Sequence, residues 1–362
     1  MATTGIPFID SLTVNNQATQ SLRELLWKEG IKYGALAQTV NMEFGIKDGE
    51  YIAWLGDMEP VGLPSIGCGV EWQASKIPAN EKRWTLGRYD VAEQLCYTDL
   101  ENTVAKWSRN TGTDIANLTD TDYMEIVVEP RLKKAMQEML WRLIWFGDLS
   151  ASNISSGGKI TNAINPELFK INDGLFKRIY ALTTAGESRR VTIGANAATT
   201  YAAQRTAIEQ AGVAKAIFDE IIDDAPIELA QKEGKVLLST YALAQALRKD
   251  IRNTHCCNES AWNMMFSGYP NVMSIEYNGH KVIALPEWDK MIQAFENTGT
   301  KYNDPYRVVY AGKDSLLAGF ESSSELPYLE TWFERKDQLN YILAKDCLGT
   351  NTMNEENIVF AY

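Results

Sequence analysis

The stretch DYMEIVVEPRLKKAMQEMLWRLIWFGD, residues 122–148, decides the fold. Asp122 followed by Glu125 has the form of a capping box, in which each side chain satisfies an otherwise unpaired backbone N–H at a helix start. Leu132, Ala135 and Met136, Met139 and Leu140, and Leu143 then recur at helical spacing over more than three turns. The spacing predicts a helix over 122–146, stopped by Gly147-Asp148. Pro130 either kinks it or marks its true start, because proline lacks the N–H that an interior turn needs. Its Met- and Trp-rich stripe (Met136, Met139, Trp141, Trp145) is core material rather than a cofactor box.

Towards the N-terminus, residues 1–20 are polar, with Ile6, Phe8, Ile9 and Leu12 as isolated apolar anchors. Such a segment cannot bury enough surface to fold alone and reads either as disordered or as an arm lying on another surface. A helix is expected over 21–32 and a strand over 50–55. Residues 58–80 are rich in Gly and Pro, too long for an idle connection. Alternation at Val70-Glu71-Trp72-Gln73 predicts a ribbon pairing with 83–89 across a turn at 77–82. An isolated hairpin is barely stable in water, so Trp72, Ile77 and Trp84 are expected either to seek a partner or to fold back on their own domain.

Towards the C-terminus, 149–174 reads as loop with a brief strand near Leu168. A single helix is expected over 202–224, with Gly212 as a tolerated flaw, then a helical turn at 226–232. A buried strand covers 235–238, and Ser239 is placed as the cap of a helix reaching Asn253. Strands follow at 272–275, 280–284, 306–311, 316–320, 328–335, 340–345 and 358–361. The pattern is α+β, with no internal repeat.

The chain has 362 residues and an ordinary globular balance of 45% hydrophobic and 23% charged residues. That length suggests two or three units. A net charge of −12 disfavours a protein whose main task is coating phosphate backbones. Five cysteines with no Cys-x-x-Cys pair fit buried thiols in a reducing compartment. The first ten residues lack the basic-then-apolar order of a signal peptide, and no apolar run is long enough to span a bilayer.

Chemistry-bearing motifs fail one by one. His255, Cys256 and Cys257 are consecutive, so their side chains diverge and cannot share one tetrahedral metal. Ser156-Gly157-Gly158-Lys159 and Ala311-Gly312-Lys313 lack the remaining residues of a phosphate loop. Asp120/Asp122, Asp223-Asp224 and Glu355-Glu356 stand in turns or at helix ends, where carboxylates are expected anyway. His280 sits beside a turn, facing solvent. No catalytic residue, cofactor site or metal site emerges.

The order of elements resembles the major capsid protein of tailed bacteriophages, the Hong Kong 97 fold. Trp84–Tyr97 followed by Thr98-Asp99-Leu100-Glu101 is similar to the family's step from extended loop to peripheral domain, and 123–148 to its long spine helix. Asn172-Asp173-Gly174-Leu175-Phe176 resembles the junction into the axial domain. Lys235–Tyr241 with Ala246–Lys249, Gly279–Pro286 and Tyr306–Leu316 resemble the strands and helix that follow. Each motif is weak by itself; their order over about 50–362 carries the resemblance.

The resemblance implies an N-terminal arm and helix over 1–45, a peripheral strand over 46–58 and an extended loop over 59–88. A peripheral domain over 89–174 holds the spine helix, an axial domain covers 175–305, and return strands fill 306–362. It further implies a structural, non-catalytic subunit that assembles with itself into hexamers and pentamers of an icosahedral head in the host bacterial cytoplasm. Packaged DNA would be held without sequence specificity. A portal, and scaffolding or decoration proteins, would be the other partners, with no membrane; no scaffold-like segment precedes the arm. Ile6, Phe8, Trp72, Lys76, Ile77 and Trp84 are the candidate inter-subunit contacts, Lys76 or Lys82 standing where some members carry a crosslinking lysine. An encapsulin-like compartment shell and a cytosolic α+β enzyme using acidic residues are the rival readings.

Overall fold

A computed structural model describes residues 36–55, 79–96, 129–151, 166–254, 265–266, 273–321, 328–334 and 339–362. The expected arm, the helix over 21–32 and the outer part of the extended loop lie outside them.

The strands are β1 (Asn41–Phe44), β2 (Tyr51–Leu55), β3 (Ala79–Arg83), β4 (Gly87–Cys96), β5 (Arg189–Val191), β6 (Lys235–Thr240), β7 (Met265–Phe266), β8 (Met273–Tyr277), β9 (His280–Leu285), β10 (Val308–Gly312), β11 (Leu316–Phe320), β12 (Tyr328–Glu334), β13 (Leu339–Thr352) and β14 (Ile358–Ala361). The helices are α1 (Leu36–Thr39), α2 (Glu129–Phe146), α3 (Leu175–Ala185), α4 (Tyr201–Ile208), α5 (Val213–Asp223), α6 (Ile227–Gln231), α7 (Tyr241–Thr254) and α8 (Pro286–Phe295).

A seven-stranded mixed sheet, ordered β5-β14-β10-β6-β9-β8-β7, forms the centre. Its inner strands are buried on both faces, and the side-chain period of two deals consecutive residues to opposite cores. In β10, Val309 and Ala311 join one apolar cluster while Val308 and Tyr310 join the other. In β14, Ile358 and Phe360 face the first, Val359 and Ala361 the second. The first cluster is completed by α2, α3 and α8, the second by α5 and α7.

A five-stranded sheet is built around β13. It pairs with β4 from Leu339↔Cys96 to Leu348↔Gly87, with β12 from Tyr328↔Lys345 to Glu334↔Leu339, and with β11 from Leu316↔Thr352 to Phe320↔Leu348. β1 adds in parallel to β11.

The spine helix is present as α2, with Pro130 at its second described residue; the expected start at 122–128 lies outside the described residues. Its last turns are apolar nearly all round: Leu140, Trp141, Leu143, Ile144, Trp145 and Phe146 are buried. Gly147 stops it for a steric reason. A Cβ there would lie 2.6 Å from the Asn172 and Leu143 carbonyl oxygens, and one on Gly174 would lie 2.6 Å from Gly147 N. The two glycines let the end of α2 and the start of α3 meet backbone to backbone, with Gly174 N–H donating to Gly147 O at 2.8 Å.

Several expectations are corrected. The helix over 202–224 is two helices, α4 and α5, because Gly212 takes a left-handed φ of 82° and breaks the run. Asp250, on α7, accepts from Gly212 N at 3.0 Å and Lys215 N at 3.2 Å, so it caps the second helix. Ser239 does not cap α7; it lies buried in β6, and its hydroxyl donates to Thr240 O. The cap comes from Asp289 on α8, whose carboxylate accepts from Tyr241 N at 2.5 Å and Ala242 N at 3.1 Å. Residues Pro166–Leu168 form a 3-10 turn instead of a strand. The expected turn at 77–82 is corrected over its described part, because 79–83 is strand, paired with β2; Val70–Gln73, the strand expected to pair with 83–89, lies outside the described residues.

Candidate assembly surface

β2 and β3 form a two-stranded ribbon in register from Tyr51↔Arg83 to Leu55↔Ala79. Alternation splits it into two faces. Tyr51, Ala53, Glu81 and Arg83 are exposed, whereas Ile52, Trp54 and Lys82 are half-buried. On the outer face the Arg83 guanidinium lies 4.4 Å from the Tyr51 ring centroid and donates to the Tyr51 hydroxyl. On the inner face Ile52 and Trp54, with Leu86, pack against a small core of Ile46, Trp84, Leu317 and Met353. Gly319 makes room for that core: a Cβ there would sit 2.8 Å from Trp84 Cζ3 and 2.7 Å from Ile46 Cδ1.

A two-stranded ribbon is unstable alone, so its attachment to the body matters. Backbone bonds join Trp84 N–H to Glu50 O and Gly49 N–H to Trp84 O, both at 2.9 Å. Leu86 N–H donates to Asp48 Oδ1 at 2.9 Å, and Asn351 Nδ2 donates to Arg83 O at 3.3 Å. Lys82 forms an ion pair with Glu355 and donates to Thr352 O at 2.7 Å and Thr352 Oγ1 at 3.2 Å. The chain leaves the body at Leu55 and returns at Ala79 from this fixed base.

Of the expected contact residues, Ile6, Phe8, Trp72, Lys76 and Ile77 lie outside the described residues. Trp84 is placed differently from expectation. It is 3% exposed, and its indole is consumed by its own chain's core. Lys82 is likewise engaged within the chain. Sequence reasoning passed over Glu355 as a turn carboxylate; it does open a 3-10 turn, Glu355–Asn357, but it also holds Lys82. No local signal links two residues that far apart.

Some of the other polar candidates are engaged within the chain. Asp224 ends α5, and its carbonyl accepts from Arg189. Asp314 pairs with Lys232 at 2.6 Å. His280 is half-buried against the Tyr310 ring rather than freely solvated, and burial, then the charge of Lys235, hold its pKa below the ordinary value. Cys347 is a buried free thiol whose pKa burial raises. His255–Cys257, Asp120, Asp122 and Ser156–Lys159 lie outside the described residues. Among the described residues, no group of His, Cys, Asp and Glu is placed to hold a metal, and no helix is long and apolar enough to cross a membrane.

Two charged clusters stand beside the junction of α2 and α3. Lys177 Nζ donates to Asp148 at 2.5 Å, Asp173 at 2.7 Å and Ser150 Oγ at 3.0 Å, stapling the two ends of the Gly147–Gly174 junction. Burial alone would raise the Asp148 carboxyl, but the bonds from Lys177 and Ser150 outweigh it and hold the pKa low. Arg307 is wholly buried. It pairs with Glu296, donates to Asp304 O at 2.9 Å and Asn303 O at 3.1 Å, and lies 4.8 Å from the Phe176 centroid. Burial opposes its charge, yet Glu296 and its neighbours raise the pKa, so Arg307 stays protonated.

No protein-family model and no curated protein matches the sequence. Solved structures do match in fold. A chain of the satellite phage P4 procapsid, a particle that includes the size determination (Sid) protein, aligns with a TM-score of 0.51 at 10% identity, over 95% of this chain and 98% of that one. A chain from Gordonia phage Cozz aligns with a TM-score of 0.48 at 11% identity, over 90% and 85%. A virus-like particle from Pyrococcus furiosus gives 0.42 at 9%, over 95% and 98%. The first of these carries the comparison, and at that identity the likeness is one of fold. With its central mixed sheet, its spine helix and the sheet built on β13, the chain has the α+β fold of the Hong Kong 97 type.

Proposed function

We propose that the chain is the shell-forming subunit of a phage head, assembling with itself into hexamers and pentamers of an icosahedral particle around double-stranded DNA. The observation that carries this reading is the fold likeness to a procapsid chain, which runs over nearly the whole of both chains and leaves little of either for a separate catalytic unit. The ribbon adds a physical reason. A shell subunit must bury large areas against several neighbours, and the ribbon of β2 and β3 with the chain that joins them is the proposed source of part of that area. Identical contacts that close into rings then give the symmetry. A portal, together with scaffolding or decoration proteins, and non-specifically held DNA complete the proposed partners. Ile6, Phe8, Trp72, Lys76 and Ile77 are the proposed contacts, and the host cytoplasm the proposed place of assembly.

The test is light scattering and negative-stain microscopy on the purified chain. Megadalton shells, or rings of five or six, support the proposal, and nuclease-resistant DNA in native particles distinguishes a head from a protein-filled compartment. A monodisperse 40.6 kDa monomer that concentration and crowding leave unchanged overturns it.

A further inference from the structure

We infer that Lys82 is a positioning residue, which fixes the direction in which the ribbon leaves the body by pinning β3 to the turn between β13 and β14. The inference rests on the shell reading for its purpose, but the pin itself does not.

A lysine ammonium has three protons and no acceptor. Lys82 has three acceptors in reach: the Glu355 carboxylate, Thr352 O and Thr352 Oγ1. Its partners are not incidental. Thr352 ends β13, Glu355 opens the next 3-10 turn, and β14 begins at Ile358 inside the seven-stranded sheet. Asn354 turns the chain there with a φ of 52°, and Met353 N–H is held by Ser315 O at 3.0 Å. The pin therefore joins the ribbon to the turn that links the two sheets.

The Trp84 core cannot do the same work. Apolar packing is non-directional and lets a ribbon swing while keeping its contact. It reaches along the same face through Ile52, opposite Lys82, and Trp54, two residues further out. Hydrogen bonds, by contrast, weaken steeply with angle, so three of them converging on one nitrogen resist rotation. The Arg83–Tyr51 stack and hydrogen bond lock β2 to β3 on the opposite face, so the two strands turn as one lever. Small changes of angle at this base move the far ends of both strands, Leu55 and Ala79.

The experiment uses full-length subunits before assembly, compared by hydrogen exchange, and the particles they form, compared by electron microscopy. In Lys82→Met and Glu355→Gln, exchange of the β2 and β3 backbone amides is expected to rise about tenfold or more. Amides of β6, β10 and β14 should stay unchanged, and particles should become heterogeneous in size. Lys82→Arg, which keeps the charge and gains donors, should restore ribbon protection to within about twofold. Unchanged ribbon exchange in both variants overturns the pin, as does a uniform rise across all strands. If ribbon exchange rises but particles keep one size, the pin does not set direction and the inference falls. If the wild type itself forms no particle while ribbon exchange still responds, the shell reading fails and the pin stands.

Discussion

Arg307 is the most exacting residue in the chain. Its guanidinium, paired with Glu296 in a core of Phe146, Phe176 and Tyr180, has no water to fall back on. Removing one partner of such a pair strands the other charge, which costs about 3–5 kcal/mol. Glu296→Ala or Arg307→Met is expected to lower stability by that amount in denaturant titration, whereas Arg307→Met combined with Glu296→Leu should recover most of the loss. Asp289 makes a second prediction. Burial dominates the two backbone N–H bonds it accepts and pushes its carboxyl from the ordinary 3.8 to about 6. A carboxyl raised on folding binds its proton more tightly in the folded state. Its stabilising contribution is therefore whole below about pH 4 and lost as pH rises through about 6, a swing of about 3 kcal/mol. Stability measured against pH should carry this downward step. Asp289→Asn should flatten it, whatever its absolute cost from facing an amide N–H2 towards the Tyr241 N–H.

At the scale of elements, the meeting of α2 with α3 is a joint made by two glycines and a lysine. Gly174→Ala places a methyl group 2.9 Å from the Trp145 backbone oxygen and 2.6 Å from Gly147 N. Neither atom can move without shifting a helix end. Overpacking of this kind costs about 1–3 kcal/mol, and the expected result is a melting temperature several degrees lower. Gly186→Ala serves as control for left-handed strain alone, since nothing lies within 4 Å of its Cβ position. The sequence made this joint legible as a helix stop and a junction, because a long apolar stripe ending in Gly-Asp is a local signal. The missed elements differ in kind. α8 was legible: Pro286 at its first position, Glu287 and Asp289 in its first turn, and Trp288, Met291, Ile292 and Phe295 at helical spacing. The far half of β13 was not. Thr350, Asn351 and Thr352 look like solvent-facing loop, yet they are buried, with hydrogen bonds running to Asp173 O, Arg83 O and Lys82.

For the whole molecule, the proposed shell function predicts that body and loop separate cleanly. Replacing 56–78 by a short Asn-Gly turn joining Leu55 to Ala79 should leave a folded subunit, because the ribbon's base is held by Ile52, Trp54 and Lys82, which the replacement leaves in place. Thermal unfolding should then stay within a few degrees of the wild type, while shells disappear from micrographs. A variant that still closes into uniform shells would show that the loop is dispensable for assembly. What the sequence determined by itself is the inventory: the spine helix, the buried strands β6, β9, β10, β11 and β14, the α+β class and the resemblance in their order. These are written in local periodicity, which a single chain segment carries. Only the tertiary structure decided where the polar and charged side chains go. Trp84 turned inward, Lys82 found Glu355, Asp289 capped a helix it is not part of, and Arg307 became core. Each of these depends on residues brought together across long stretches of chain, and no local pattern encodes a partner that far away.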